Sequence, residues 1–163
     1  MTPKVFFLPL LVSLIVTVPV CATANVQQIS DTYVEKWIDF YPSEAYTYGN
    51  KAAAWHFENF SGERVSSWLQ YNRKTLEELK QLKSVNAGAS VNEKINARVL
   101  RRQCLLELER WHHDEVLDNQ AIYYAELISQ ALTYLLVRDQ FTPAEKLKVL
   151  QGRLRGVQAS MVR

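Results

Sequence analysis

Sequence shortages set the first limits. The chain holds two cysteines, five glycines and five prolines among 163 residues, and its 19 basic and 17 acidic groups leave a net charge of only +2. So near a balance lacks the electropositive footprint that a nucleic-acid binder needs, and none is expected as a partner. Few glycines and prolines leave long stretches of Leu, Glu, Lys, Gln and Ala uninterrupted, which favours helix. Some functional signatures are missing as well. No Gly-x-Ser-x-Gly elbow occurs, no glycine-rich dinucleotide or phosphate loop, and no His-Glu-x-x-His. His113-Asp114-Glu115 puts aspartate where the zinc peptidases carry the catalytic glutamate. No catalytic, cofactor-binding or metal-ligating residue is therefore assigned, and no cofactor is expected in this chain.

What is present begins with an address. Lys4 precedes an apolar run from Val5 to Val20, and Ala22-Thr23-Ala24 supplies the small residues of a signal-peptidase site. The run is shorter than the roughly 20 residues of a membrane-spanning helix. Residues 1–24 are thus predicted to be an export signal, which places the product in the periplasm or outside the cell with no integral span after cleavage. Lipid attachment at Cys21 is the weaker alternative, because the bulky Val20 precedes it. Cleavage would leave Cys104 as the only thiol, so no disulfide forms within the chain and helix packing must hold it together. Cys104 lies in a helical pattern and reads as a buried structural cysteine.

Residues 25–163 read as a single all-α domain, an irregular bundle of about five to six helices. Ile29, Tyr33, Val34, Trp37 and Phe40 recur at steps of three and four and predict a helix from Val26 to Phe40. After Pro42 a short helix is predicted to start at Ser43-Glu44 and end at Gly49-Asn50, with a left-handed cap. Lys51 to Phe60 has no period and reads as an aromatic-rich loop. Ser61-Gly62 opens a long helix striped by Val65, Trp68, Leu69, Leu76, Leu79 and Leu82, ended by a turn at Asn86 to Ala89. Ser90 and Glu93 form a capping box before a helix with an expected apolar stripe of Ile95, Val99, Leu105, Leu108 and Trp111, running to about Asp114. After a break at Asp118-Asn119, Ala121 to Val137 is apolar nearly all round and is expected to be the central buried helix. Thr142-Pro143-Ala144-Glu145 starts the last helix, with Leu147, Leu150, Leu154, Val157 and Met161 as its stripe. Its end carries no encoded cap, which reads either as a truncated chain or as a frayed terminus.

Four features invite chemistry, and each has a plainer reading. Glu109 and His112, three apart on a helix with His113 beside them, resemble half of a di-metal carboxylate site. The second half is missing, and histidines in a last helical turn are favoured by the helix dipole alone. Glu126, in the most apolar helix, is expected to be buried and paired with Arg101, Arg102 or Arg138. Asn59-Phe60-Ser61 matches a glycosylation acceptor, a pattern common by chance. Tyr41, Tyr46, Tyr48, Trp55 and Phe57 crowd one stretch, either as core or as the lining of a groove for a peptide.

The segment Trp37-Ile38-Asp39-Phe40-Tyr41-Pro42-Ser43-Glu44-Ala45-Tyr46-Thr47-Tyr48-Gly49 resembles the opening motif of a bacterial family known as domain of unknown function 885. The later order is similar: a charged helix from Ser66 to Leu82, then Leu100-Arg101-Arg102-Gln103, then an apolar helix followed by Phe141-Thr142-Pro143. Members are several times longer, often exported, helical, and regarded as zinc-dependent peptidases whose His-Glu-x-x-His lies well downstream. The resemblance therefore implies a non-catalytic N-terminal region, inactive alone, whose partner is a peptide ligand or a missing C-terminal catalytic region. A free-standing helical bundle that binds a peptide or protein is the alternative.

Overall fold

A computed structural model describes residues 25–85, 89–111 and 121–161. The proposed export signal, the turn at Asn86, the break at Asp118-Asn119, and both His112 and His113 lie outside the described residues. Among those described there is no strand, and six α-helices follow one another: α1 (Val26–Phe40), α2 (Pro42–Thr47), α3 (Gly62–Val85), α4 (Val91–Arg110), α5 (Ala121–Val137) and α6 (Pro143–Met161). The fold is all-α, as the composition requires.

Local chemistry sets most boundaries. The Asn25 side chain accepts from Gln28 N–H at 2.8 Å and caps α1. The helix stops at Phe40 because Tyr41 precedes a proline and takes φ −120°, ψ 62°. Asn50 N–H reaches Ala45 C=O and Gly49 N–H reaches Tyr46 C=O, a Schellman cap on α2 with Gly49 at φ 105°. Both capping boxes form, Ser90 with Glu93 and Thr142 with Glu145. The stretch from Lys51 departs from the expected loop: Asn50 accepts from Ala53 N–H, and Lys51–Trp55 winds into a 3-10 turn.

Helices α1, α3 and α4 form one unit. Tyr33 meets Trp68 and Tyr71 while Phe40 stacks on Trp68, so α3 runs antiparallel to α1. Its core gathers Ile29, Phe40, Phe60, Trp68, Leu100 and Trp111. The Phe40–Trp68 stack at 4.9 Å and the Phe60–Trp111 edge contact at 5.0 Å each add about 0.5–1.5 kcal/mol beyond area burial. A second core of Ala45, Tyr46, Ala54, Leu135, Phe141 and Val149 joins α2 and the 3-10 turn to α5 and α6. Trp37 touches both cores.

Three expected faces are corrected. On α4 the buried positions are Leu100, Cys104, Glu107 and Trp111, whereas Ile95, Val99 and Leu105 are exposed. This inward face carries the polar Glu107 between Cys104 and Trp111, so the largest aliphatics do not mark it. Helix α5 is not central: Ala131 and Leu135 are buried, but Ile122 and Val137 are 72% and 73% exposed. On α6 Val149 and Arg153 face inward while Leu147 and Leu154 face out. That face approaches the preceding segment so closely that a Cβ on Gly156 would lie 2.8 Å from Phe57 Cβ.

Candidate functional site

The interior polar network starts from Glu107, which α4 turns inward one turn after Cys104 and one turn before Trp111. Its carboxylate is 2% exposed yet saturated. Tyr41 O–H donates to Oε2 at 2.7 Å, Trp68 Nε1–H to the same oxygen at 2.9 Å, and Gln103 Nε2–H to Oε1 at 3.1 Å. Arg110 Nη1 lies 3.9 Å from Oε1 and supplies a counter-charge. The Tyr41 oxygen in turn accepts from Trp111 Nε1–H at 2.9 Å. Burial, then the neighbouring carboxylate, pushes the Tyr41 phenol well above its ordinary range, so it stays a donor. A desolvated carboxylate with this many donors is a fastener joining α1, α3 and α4.

Beside this network lies a groove of about 590 Å³ between α1 and α4, with α2 at one end. The α2 end is formed by Trp37, Glu44, Tyr48, Gln103, Glu107 and Arg110, and Asp31 and Asn96 lie toward the other. Tyr48 is 76% exposed, and its ring sits 6.2 Å from that of half-buried Trp37. Three carboxylates and one guanidinium line the groove. Asp31 accepts from Gln27 at 2.7 Å, and Glu107 is saturated. Glu44 has no side-chain hydrogen bond or ion pair among the described residues. Desolvation raises its carboxyl above the ordinary 4.5, with Arg110 opposing and Glu107 and Glu58 reinforcing.

Two further buried charged residues, Glu58 and Arg153, support the α2 side. Glu58 accepts from Ser43 N–H and Ser43 O–H, both at 2.7 Å, and burial raises its carboxyl. Arg153 donates to the carbonyls of Ala54 and Ala131 and lies 4.9 Å over the Tyr46 ring. Arg138 donates to the last carbonyls of α2, at Tyr46 and Thr47. These contacts orient the short helix that carries Glu44.

The expected site residues separate on this frame. Tyr41 and Tyr46 are buried in different cores, Trp55 and Phe57 lie against the α6 side, and of that stretch only Tyr48 reaches the groove. Glu126 is exposed rather than buried, because α5 turns it to solvent, and it needs no arginine. Among the described residues the buried carboxylates are Glu58 and Glu107 instead. Glu109 is exposed, and its proposed partner His112 lies outside the described residues. Asn59 is exposed and accepts from Ser61 N–H at 3.0 Å in an Asx turn. No group of three or more metal-ligating side chains occurs among the described residues, and none of their helices is long and apolar enough to cross a membrane. Glu107 had a legible signal: Leu100, Cys104, Glu107 and Trp111 recur at four, three and four. Arg153, four after Val149, had the same.

No family model, curated protein or solved structure matches the chain.

Proposed function

We propose that this chain is an exported, non-catalytic helical module that binds a peptide, corresponding in role to the N-terminal region of the zinc metallopeptidases that its Trp37–Gly49 segment resembles. The groove between α1 and α4 carries this reading. It has the size of a ligand site and is walled by aromatic rings with a few convergent polar groups. The segment on which the resemblance rests contributes Trp37, Glu44 and Tyr48 to the groove wall. Glu107 and Arg153 serve as fasteners under that wall.

The test combines two readings on one sample. Purified protein supplied with zinc is expected to leave an unstructured peptide intact, while the same peptide changes the fluorescence of Trp37 at the groove wall. A Trp37→Phe variant identifies the reporter among the four tryptophans. Zinc-dependent cleavage of the peptide overturns the non-catalytic reading, and an unchanged Trp37 signal overturns the binding reading.

A further inference from the structure

Ligand chemistry follows from an inventory of the groove's acceptors. Of its three carboxylates, Glu107 is fully engaged by Tyr41, Trp68 and Gln103, and Asp31 is held by its own helix through Gln27. Glu44 is the one carboxylate of the three with no hydrogen bond, and it is half-buried where Asp31 is exposed, so its lone pairs are both unmatched and partly desolvated. The nearby cation opposes that desolvation cost through its charge alone and donates no bond to Glu44. Arg110 is turned to Glu107 and to the Tyr41 ring and hydroxyl, at 3.9, 5.8 and 3.5 Å respectively.

The aromatic walls add to this. Trp37 and Tyr48 are tilted at 41° with centroids 6.2 Å apart, and Tyr48 remains open to solvent beside it. A ring face beside an unmatched carboxylate in a partly desolvated cleft attracts a cation through both the quadrupole and the charge. An anionic ligand would meet three carboxylates for one engaged arginine.

Resting on the peptide-binding reading, we infer that the α1–α4 groove selects a basic peptide, seating a lysine or arginine side chain on Glu44 against the Trp37 and Tyr48 rings. The alkyl stem of such a side chain lies along the rings while its head meets the carboxylate. The rest of the peptide runs toward Asp31 and Asn96, in line with α1.

The experiment titrates the full chain with three blocked alanine-based pentapeptides that differ only at the centre: lysine, norleucine or glutamate. Binding is read by calorimetry at constant ionic strength. The lysine peptide is expected to bind about tenfold more tightly than the norleucine peptide, about 1.4 kcal/mol, and the glutamate peptide more weakly still. Glu44→Gln should abolish the lysine preference while leaving norleucine binding unchanged and the protein folded, with a melting temperature at neutral pH no lower than before. Tyr48→Ala, at an exposed site, should weaken the lysine peptide more than the norleucine peptide, whose stem lies along the same rings but lacks the charged head. Equal binding of lysine and norleucine peptides overturns the cation inference and leaves the peptide reading standing. No binding of any of the three at millimolar concentration overturns both. A lysine preference that survives Glu44→Gln in folded protein also overturns the assignment.

Discussion

The Tyr41 hydroxyl lies 2.7 Å from Glu107 Oε2 and 2.9 Å from Trp111 Nε1, so one phenol just beyond α1 is bonded to two successive turns of α4. Trp68 of α3 donates to the same carboxylate oxygen. Replacing Glu107 with alanine strips the acceptor from Tyr41, Trp68 and Gln103 together. A loss of about 3–5 kcal/mol is expected, since each buried donor left unmatched costs about 1–3. Glu107→Gln keeps an acceptor and should lose less. Urea denaturation of both variants measures the ordering, and equal losses would count against the network.

Helix α6 reaches the Trp55–Phe57 segment only because position 156 has no side chain. Gly156→Ala places a methyl group 2.8 Å from Phe57 Cβ, which is anchored to backbone and has no room to swing away. Overpacking of this kind costs about 1–3 kcal/mol. In an exposed helical site the same change would instead stabilise, by about 1 kcal/mol. The sign of the shift in melting temperature thus reports whether α6 is seated there.

Cys104 is wholly buried beside Tyr33, and desolvation pushes its thiol up to about 12. Reactivity needs the thiolate. In a Cys21→Ser background, the native protein should resist a thiol reagent such as Ellman's at pH 8 and release one equivalent on unfolding. Fast labelling of the folded protein would contradict this burial.

Peptide binding through Glu44 requires its ionised form, and desolvation has raised its carboxyl above 4.5. Arg110 opposes that rise; Glu107 on α4 and Glu58 behind α2 add to it. Affinity for the lysine peptide should therefore fall, as pH is lowered, at a higher pH than an ordinary glutamate would impose. Stability runs the other way. For Glu44 and Glu58 the folded value exceeds the unfolded one, so their contribution is full below about 4.5 and is lost as pH rises through the raised value. Titrating affinity and melting temperature on one sample, with Glu44→Gln as a flat control for affinity, separates the two effects.

Caps and ends were legible because they depend on neighbours in the chain. Ser90 with Glu93, Thr142 with Glu145, and Gly49 after Tyr48 each satisfy backbone groups within a few residues. Faces were harder to read. Ile95 and Val99 look like core by hydrophobicity, yet α4 turns Cys104 and Glu107 inward, because the polar ends of Tyr41, Trp68 and Gln103 there need an acceptor. The apolar Ala121 to Val137 stretch misled similarly, since only one side of α5 meets a neighbour.

By itself, then, the sequence determined an all-helical chain, its first helix boundary for boundary, and the capping chemistry that starts α4 and α6. Those are consequences of short-range hydrogen bonding and of the 3.6-residue period. Tertiary structure alone decided which carboxylates are buried, that Glu44 is left unmatched, and that Trp37 and Tyr48 wall a groove while Tyr41 and Tyr46 do not. Such outcomes depend on donors supplied from residues as far as 66 positions away, as Tyr41 is from Glu107, and no local pattern encodes that distance.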